Sequence, residues 1–210
     1  MVLPSDQERR GARRAELSEA RRTITRRAVI DAGAVLFAEH GFDATGMAEL
    51  AREAGVSLKA MYAAFGSKDE VFSAVIDEVF SRNLLPALQK EPDGEGVLAF
   101  VGDVLAAMEA DRAYFLLYAR GSVDVPESLK QEGRDPFEPY ITALTACTKT
   151  RIVEAGRVRG IDPHMLATAI VATVIALARE AVSGEQTRRI TDLEADIRAL
   201  FAPALREEQR

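Results

Sequence analysis

The chain has 210 residues, enough for one or two domains with a buried core, and its 48% hydrophobic and 29% charged content is that of a soluble globular protein. The single cysteine, Cys147, excludes an intrachain disulfide and fits a reducing, cytoplasmic compartment; the net charge of −6 argues against an indiscriminate nucleic-acid binder. No signal peptide is expected, because the arginine-rich start meets no apolar core segment, and the longest apolar run, residues 165–178, is too short to span a bilayer.

Charge is unevenly placed along the chain. Residues 1–30 hold eight arginines (Arg9, Arg10, Arg13, Arg14, Arg21, Arg22, Arg26, Arg27) against four acids, a net of +4, whereas residues 71–210 hold 16 basic and 22 acidic side chains, a net of −6. A basic front and an acidic back are expected when one end faces phosphates. Residues 1–20 have few large apolar side chains and read as a flexible arginine-rich arm. Two readings stay open for it: a solvated tail, or an arm that lends arginines to phosphates or a neighbouring minor groove. A first helix over 23–40 turns Ile30, Ala34 and Phe37 inward; Gly41 stops it, and His40 is a cation at its end.

Residues 41–72 organise the rest of the chain. Met47, Leu50, Ala51 and Ala54 keep the three-and-four spacing of one helical face, and Gly55 ends that helix in a left-handed conformation. Ser57 is an N-cap for a second short helix, Leu58 to Ala64, with Val56, Met61 and Phe65 directed inward. Ser67-Lys68-Asp69-Glu70 is a capping box that opens the next helix. Two short helices closing on a glycine-containing turn match a helix-turn-helix, whose second helix enters the major groove.

At these residues the chain resembles the TetR family of bacterial transcriptional regulators. Val29-Ile30-Asp31-Ala32-Gly33-Ala34-Val35-Leu36-Phe37, ending on Gly41-Phe42, resembles the family's first-helix pattern. The similarity continues through Leu50-Ala51, Ala54-Gly55-Val56-Ser57, Met61-Tyr62, Phe65 and Ser67-Lys68-Asp69-Glu70. The resemblance implies a homodimer that binds a palindromic operator on double-stranded DNA. Tyr62 and Lys68 would then hold phosphates, with Thr45 adding a hydroxyl, and the backbone N–H groups opening the Met47 helix after Gly46 would do the same. Base edges would be met from the helix that Ser57 caps, chiefly by Lys59, with Leu58, Ala60 and Ala63 offering apolar contact to thymine methyls. Three departures from the family stand out. Gly46 stands where Ser or Thr is frequent, Lys59 where glycine is, and Ala63 and Ala64 where larger residues are common, so readout would lean on DNA shape.

Beyond residue 85 the likeness is one of architecture. Phe72, Val75, Ile76, Val79 and Phe80 share a face of a long helix that Pro86 should kink or end, and Glu91-Pro92-Asp93-Gly94 signals a loop. Val97, Val101, Val104 and Met108 mark one further helix; Tyr114, Leu117 and Tyr118 mark a shorter one that Gly121 terminates. Residues 126–139, with three prolines, are expected as irregular chain or a frayed helix start. Ile141, Leu144, Thr148 and Ile152 then keep helical period until Gly156 and Gly160. Asp162-Pro163 is a cap followed by proline at the first helical position. The next helix is apolar around its circumference, with Ala169, Ala172, Thr173 and Ala176 small enough for close approach; the last carries a single apolar stripe. The pair resembles the family's dimer bundle, which would place Leu166, Ile170, Thr173, Leu177, Ile190, Leu193, Ile197, Leu200 and Phe201 at the interface. The alternative is burial within one monomer.

The same resemblance implies a small-molecule effector between the middle helices. Lining candidates are Phe100, Val104, Met108, Tyr114, Phe115, Tyr118, Phe137, Tyr140 and Cys147, each of which also reads as core; together they suit a largely apolar ligand. No catalytic site, cofactor or metal is expected: His40 and His164 lie far apart, and Cys147 sits in an apolar helix as an inert thiol. The fold expected is all-α with about nine helices: an arm over 1–20, a helix-turn-helix domain over 21–66 and a sensing and dimerisation domain over 67–210. The function expected is a repressor released by its ligand. The alternative is a helical small-molecule carrier or interaction module with a basic arm for acidic partners, and no membrane is involved.

Overall fold

The computed structural model describes residues 6–90, 96–120, 125–156, 160–183 and 190–205, and all regular structure among them is helical. Ten helices follow in order: α1 Asp6–His40, α2 Met47–Glu53, α3 Leu58–Ala64, α4 Lys68–Gln89, α5 Gly96–Ala110, α6 Arg112–Arg120, α7 Glu127–Gln131, α8 Glu138–Glu154, α9 Pro163–Ser183 and α10 Ile190–Leu205. The one beyond the expected nine is α7, five residues that form after Pro126 inside the proline-rich stretch. The loop expected at Glu91 to Gly94 and the stop at Gly121 lie outside the described residues.

Tertiary contacts divide the chain into two units, Met1–Val75 and Ile76–Arg210, so the first unit takes in the opening turns of α4 as well as the helices before it. In the first unit Val29, Phe37, Leu50, Met61, Phe65, Phe72 and Val75 are buried at its centre. Phe37, Phe42 and Phe72 meet there as a trio, with ring centroids 5.2 to 5.9 Å apart. Gly33 lets α1 and α4 touch closely: a Cβ at that position would lie 2.7 Å from Cγ2 of Val75.

Residues 6–20, which fall in the arm expected over 1–20, continue α1 as helix. The reason is local. Apart from Gly11 the segment is rich in arginine, alanine and glutamate, strong helix formers, and a helix already nucleated by its packed half extends at little cost.

In the second unit α8 packs on α9, α5 on α10, and α6 on α9. Phe80 gathers Tyr114, Phe137 and Tyr140 around its ring at centroid distances of 5.0, 5.5 and 5.2 Å. α4 runs through Pro86 to Gln89 rather than ending there. α9 starts where Asp162 and Pro163 foretell, with the Asp162 carboxylate accepting from the Met165 N–H at 3.0 Å. It is longer than its apolar run suggests, and by length and composition could cross a bilayer. Here Leu166, Ala167, Ile170, Val171, Val174 and Ala178 are buried in the unit's own core.

Candidate functional site

The turn between α2 and α3 is built by backbone chemistry that the sequence announces. α2 ends in a Schellman motif: Gly55, at φ +65°, donates to Arg52 O at 3.1 Å, and Val56 donates to Ala51 O at 2.9 Å. Ser57 then caps α3, its hydroxyl accepting from the Ala60 N–H at 3.1 Å. Met61 and Ala64 fix the inner face of α3, while Leu58, Lys59, Tyr62 and Ala63 stand exposed on the other. Leu58 is 44% exposed and Tyr62 54%, a high share for large apolar bodies. Ala60 is half-buried.

Two cations brace the first unit in the same manner, each on a carbonyl and an aromatic ring. Arg26 donates to Ala64 O, the last carbonyl of α3, at 2.7 Å, and its guanidinium lies 4.1 Å from the Phe65 ring centroid. Lys68 donates to Phe42 O at 2.8 Å and lies 4.0 Å over the Phe42 ring. Both contacts satisfy backbone acceptors at element ends and add cation–π attraction. Arg26 in this role is missed by the sequence reading, which counts it only as a basic residue of the front end; Lys68, expected at phosphate, keeps two of its three N–H donors for such a contact. The capping box forms with one change: the Glu70 N–H donates to the Ser67 hydroxyl at 3.1 Å, but the Glu70 carboxylate accepts from Gly66 at 2.8 Å rather than from Ser67.

Thr45 does not offer its hydroxyl to a phosphate. It is buried and directs its O–H at Gly41 O, 2.8 Å away, and Leu36 O, 3.4 Å away, which closes the turn after α1. Gly46 caps α2 without a side-chain bond, and a Cβ there would meet nothing within 4 Å; Met47 is half-buried.

In the second unit a small pocket lies between α5, α8 and α9. It is lined by Phe100, Val101 and Val104, by Leu144 and Thr148, and by Ile170, Val171 and Val174, and encloses about 10 Å³ of free space, room for about one water. Of the expected lining residues only Phe100 and Val104 reach it. Tyr114, Phe137 and Tyr140 pack on Phe80 instead; Met108 is fully buried, and Phe115 and Cys147 are half-buried. The Tyr118 side chain lies outside the described residues. The Tyr140 hydroxyl donates to the Asp77 carboxylate and accepts from the Ser81 hydroxyl at 3.2 Å. Burial and the Asp77 carboxylate together push its pKa up to about 12. Arg151, not singled out in the sequence, is buried beside the pocket wall: it donates to Lys90 O at 2.6 Å and lies 4.0 Å over the Phe100 ring.

The expected interface residues divide. Leu166, Ile170, Ile190, Leu193 and Ile197 are buried within the unit, because α5, α6 and α8 take up those faces of α9 and α10. Thr173, Leu177 and Phe201 are half-buried and Leu200 is 61% exposed. The face of α9 that remains open carries Met165, Thr168, Ala169, Ala172 and Ala176.

Residues 29–75 match the family described as bacterial regulatory proteins, tetR family. Over 178 residues the chain is 30% identical to the A-factor receptor protein of Streptomyces griseus, a match covering 81% of this chain and 60% of that protein. Over 85 residues it is 38% identical to the HTH-type transcriptional repressor BdcR of Escherichia coli (strain K12), covering 40% of this chain and 42% of BdcR. The chain thus spans about half the length of these relatives. Its fold is that of the fatty acid degradation regulator FadR from Bacillus halodurans, with a TM-score of 0.70 at 17% identity over 88% of this chain and 97% of that one.

Proposed function

The chain belongs to the TetR family of transcriptional regulators, and from that premise we propose that it is a homodimeric repressor which a small, largely apolar molecule releases from a palindromic operator. The observation that supports the DNA reading most is the outer face of α3. Leu58, Lys59, Tyr62 and Ala63 stand in water on a helix only seven residues long, whose inner face and far end are held by Met61, Ala64 and Arg26. A short helix with no stability of its own, anchored that firmly, is a probe set for the major groove. Lys59 addresses base edges, and Tyr62 and Lys68 address phosphates.

Ligand response is supported by the name of the A-factor receptor and by the pocket walled by Phe100, Val104 and Ile170. That pocket holds about one water, whereas ligand pockets run to roughly 300–1,000 Å³. The effector therefore enters by parting α5, α8 and α9, and this opening is the second state that it selects. A molecule that bound open and closed states equally would shift nothing.

Selection of duplexes from a random-sequence pool by the full chain tests the reading. A two-fold symmetric sequence should emerge, and Lys59→Ala should change the preferred base at one position of each half. Tyr62→Phe with Lys68→Ala should weaken binding on all sequences and flatten its salt dependence. Enrichment of no sequence at all would point to the carrier reading instead.

A further inference from the structure

The proposed operator contact uses α2, α3 and the start of α4, and leaves unexplained the first half of α1. From Arg9 to Ile24 every described side chain is exposed, and Leu17 and Ile24 stand 53% and 69% in water. From Arg10 to Ile24 about four turns of helix thus stand with their side chains in water. The composition of this stretch carries the helix on from the packed half of α1, so these outward faces are available to something outside the first unit.

The arrangement of charge says what. At about 100° per residue, Arg10, Arg13, Arg14 and Arg21 fall within a sector of roughly 100°, together with Leu17 and Ile24, while Glu16 and Glu19 lie outside it. The cations are all arginine; the segment has no lysine. Guanidinium forks bind phosphate oxygens in pairs, which an ammonium does not. Position agrees with charge. Arg26 bonds the last carbonyl of α3, so α1 leaves the unit beside the end of that helix. Counting about 1.5 Å per residue, Arg21 lies roughly 8 Å and Arg10 roughly 24 Å along the axis from Arg26. That is about two to seven steps of the 3.4 Å rise of a DNA strand. A membrane-surface helix would need a broad apolar face, and here two aliphatic residues stand among four cations.

We propose that the amino-terminal half of α1 is a second DNA-contacting element, a rigid rail whose Arg10, Arg13, Arg14 and Arg21 hold phosphates flanking the base pairs that α3 reads. It contributes affinity and not sequence preference, since phosphate contacts carry no base identity. The inference rests on the duplex-binding reading of α3.

The test uses the full chain and a duplex that the unaltered chain selects from a random pool, with binding followed between about 50 and 200 mM salt. Replacing the four arginines by glutamine should make the log–log salt dependence shallower by about 0.9 for each phosphate no longer held, roughly 2 to 4 for each bound chain. Affinity should fall by a similar factor on the selected and on a scrambled duplex. The four-lysine variant should keep the steep dependence, which shows that charge and not helix integrity is read. An unchanged slope in the glutamine variant, alongside an altered base preference in Lys59→Ala, overturns the rail and leaves the α3 reading intact. A flattened slope in the lysine variant as well overturns it in favour of a structural role. An unchanged slope together with abolished sedimentation on phosphatidylserine vesicles overturns it in favour of a membrane surface. If the unaltered chain binds no duplex, the α3 reading fails and the rail with it.

Discussion

Arg26 shows how much one side chain can hold in a small domain. It supplies a charged hydrogen bond to the end of α3 and a cation over Phe65, both half-buried. Arg26→Met keeps the aliphatic stem and removes both contacts, which should cost about 1–3 kcal/mol in urea unfolding. Duplex affinity should fall in the same variant because α3 loosens; unaltered stability would show that the clamp contributes nothing. Asp111 is a second such residue. Burial alone would raise its pKa, but the Tyr114 N–H, Arg82 at 2.7 Å and Asn83 at 3.0 Å more than offset this and hold it below the ordinary 3.8. A carboxylate with a depressed folded-state pKa stabilises above its unfolded value and loses that contribution as pH falls through the folded one. Urea midpoints should therefore drop as pH is taken down from about 4, and Asp111→Asn should flatten that acid limb. A variant with the same acid profile as the parent would remove Asp111 from the account.

At the scale of elements, what the sequence makes legible is what short-range chemistry decides. The bounds of α3, the Schellman turn at Gly55 and the caps at Ser57, Ser67 and Asp162 each need only a few neighbouring residues, and the structure has them all. Which face meets which neighbour is a tertiary matter. Period 3.6 marks Ile170 and Leu193 as apolar, but cannot say that the chain's own helices cover them before a partner can. The aromatic residues expected around an effector are drawn to Phe80 for the same reason, and Arg26 gives no local signal of its distant carbonyl. The start of α1 is misjudged because a missing apolar stripe argues against packing and not against helix. Gly33 is a place where the tertiary term decides the sign of a substitution. Alanine there gains about 1 kcal/mol of helix propensity, yet its Cβ meets the branched Val75 at 2.7 Å, an overpacking that costs about 1–3 kcal/mol. Gly33→Ala should thus lower stability by on the order of 1 kcal/mol, and adding Val75→Ala to it should relieve the clash. A stabilised Gly33→Ala protein would mean that α1 and α4 approach less closely than this.

For the molecule as a whole, the open question is what covers α9. One side of that helix is spent on the core of its own unit, and the other presents Met165, Thr168, Ala169, Ala172 and Ala176 in a sector of about 100°. Small side chains in a row leave little area to bury singly but let a second helix come close, so the face suits a twin of the same chain under two-fold symmetry. A charge at its middle should then separate two copies without disturbing either. Ala172 is exposed in the single chain, so Ala172→Arg has room there and should leave the unfolding transition of the isolated chain in place. Light scattering should move from twice the chain mass to the chain mass. Duplex affinity should fall by about 10²–10⁴, the gain that tethering a second head supplies, while the contacts of each head stay as they are. If the variant stays paired and binds DNA as its parent does, the two heads are joined through some other surface, and the face of α9 has a different occupant.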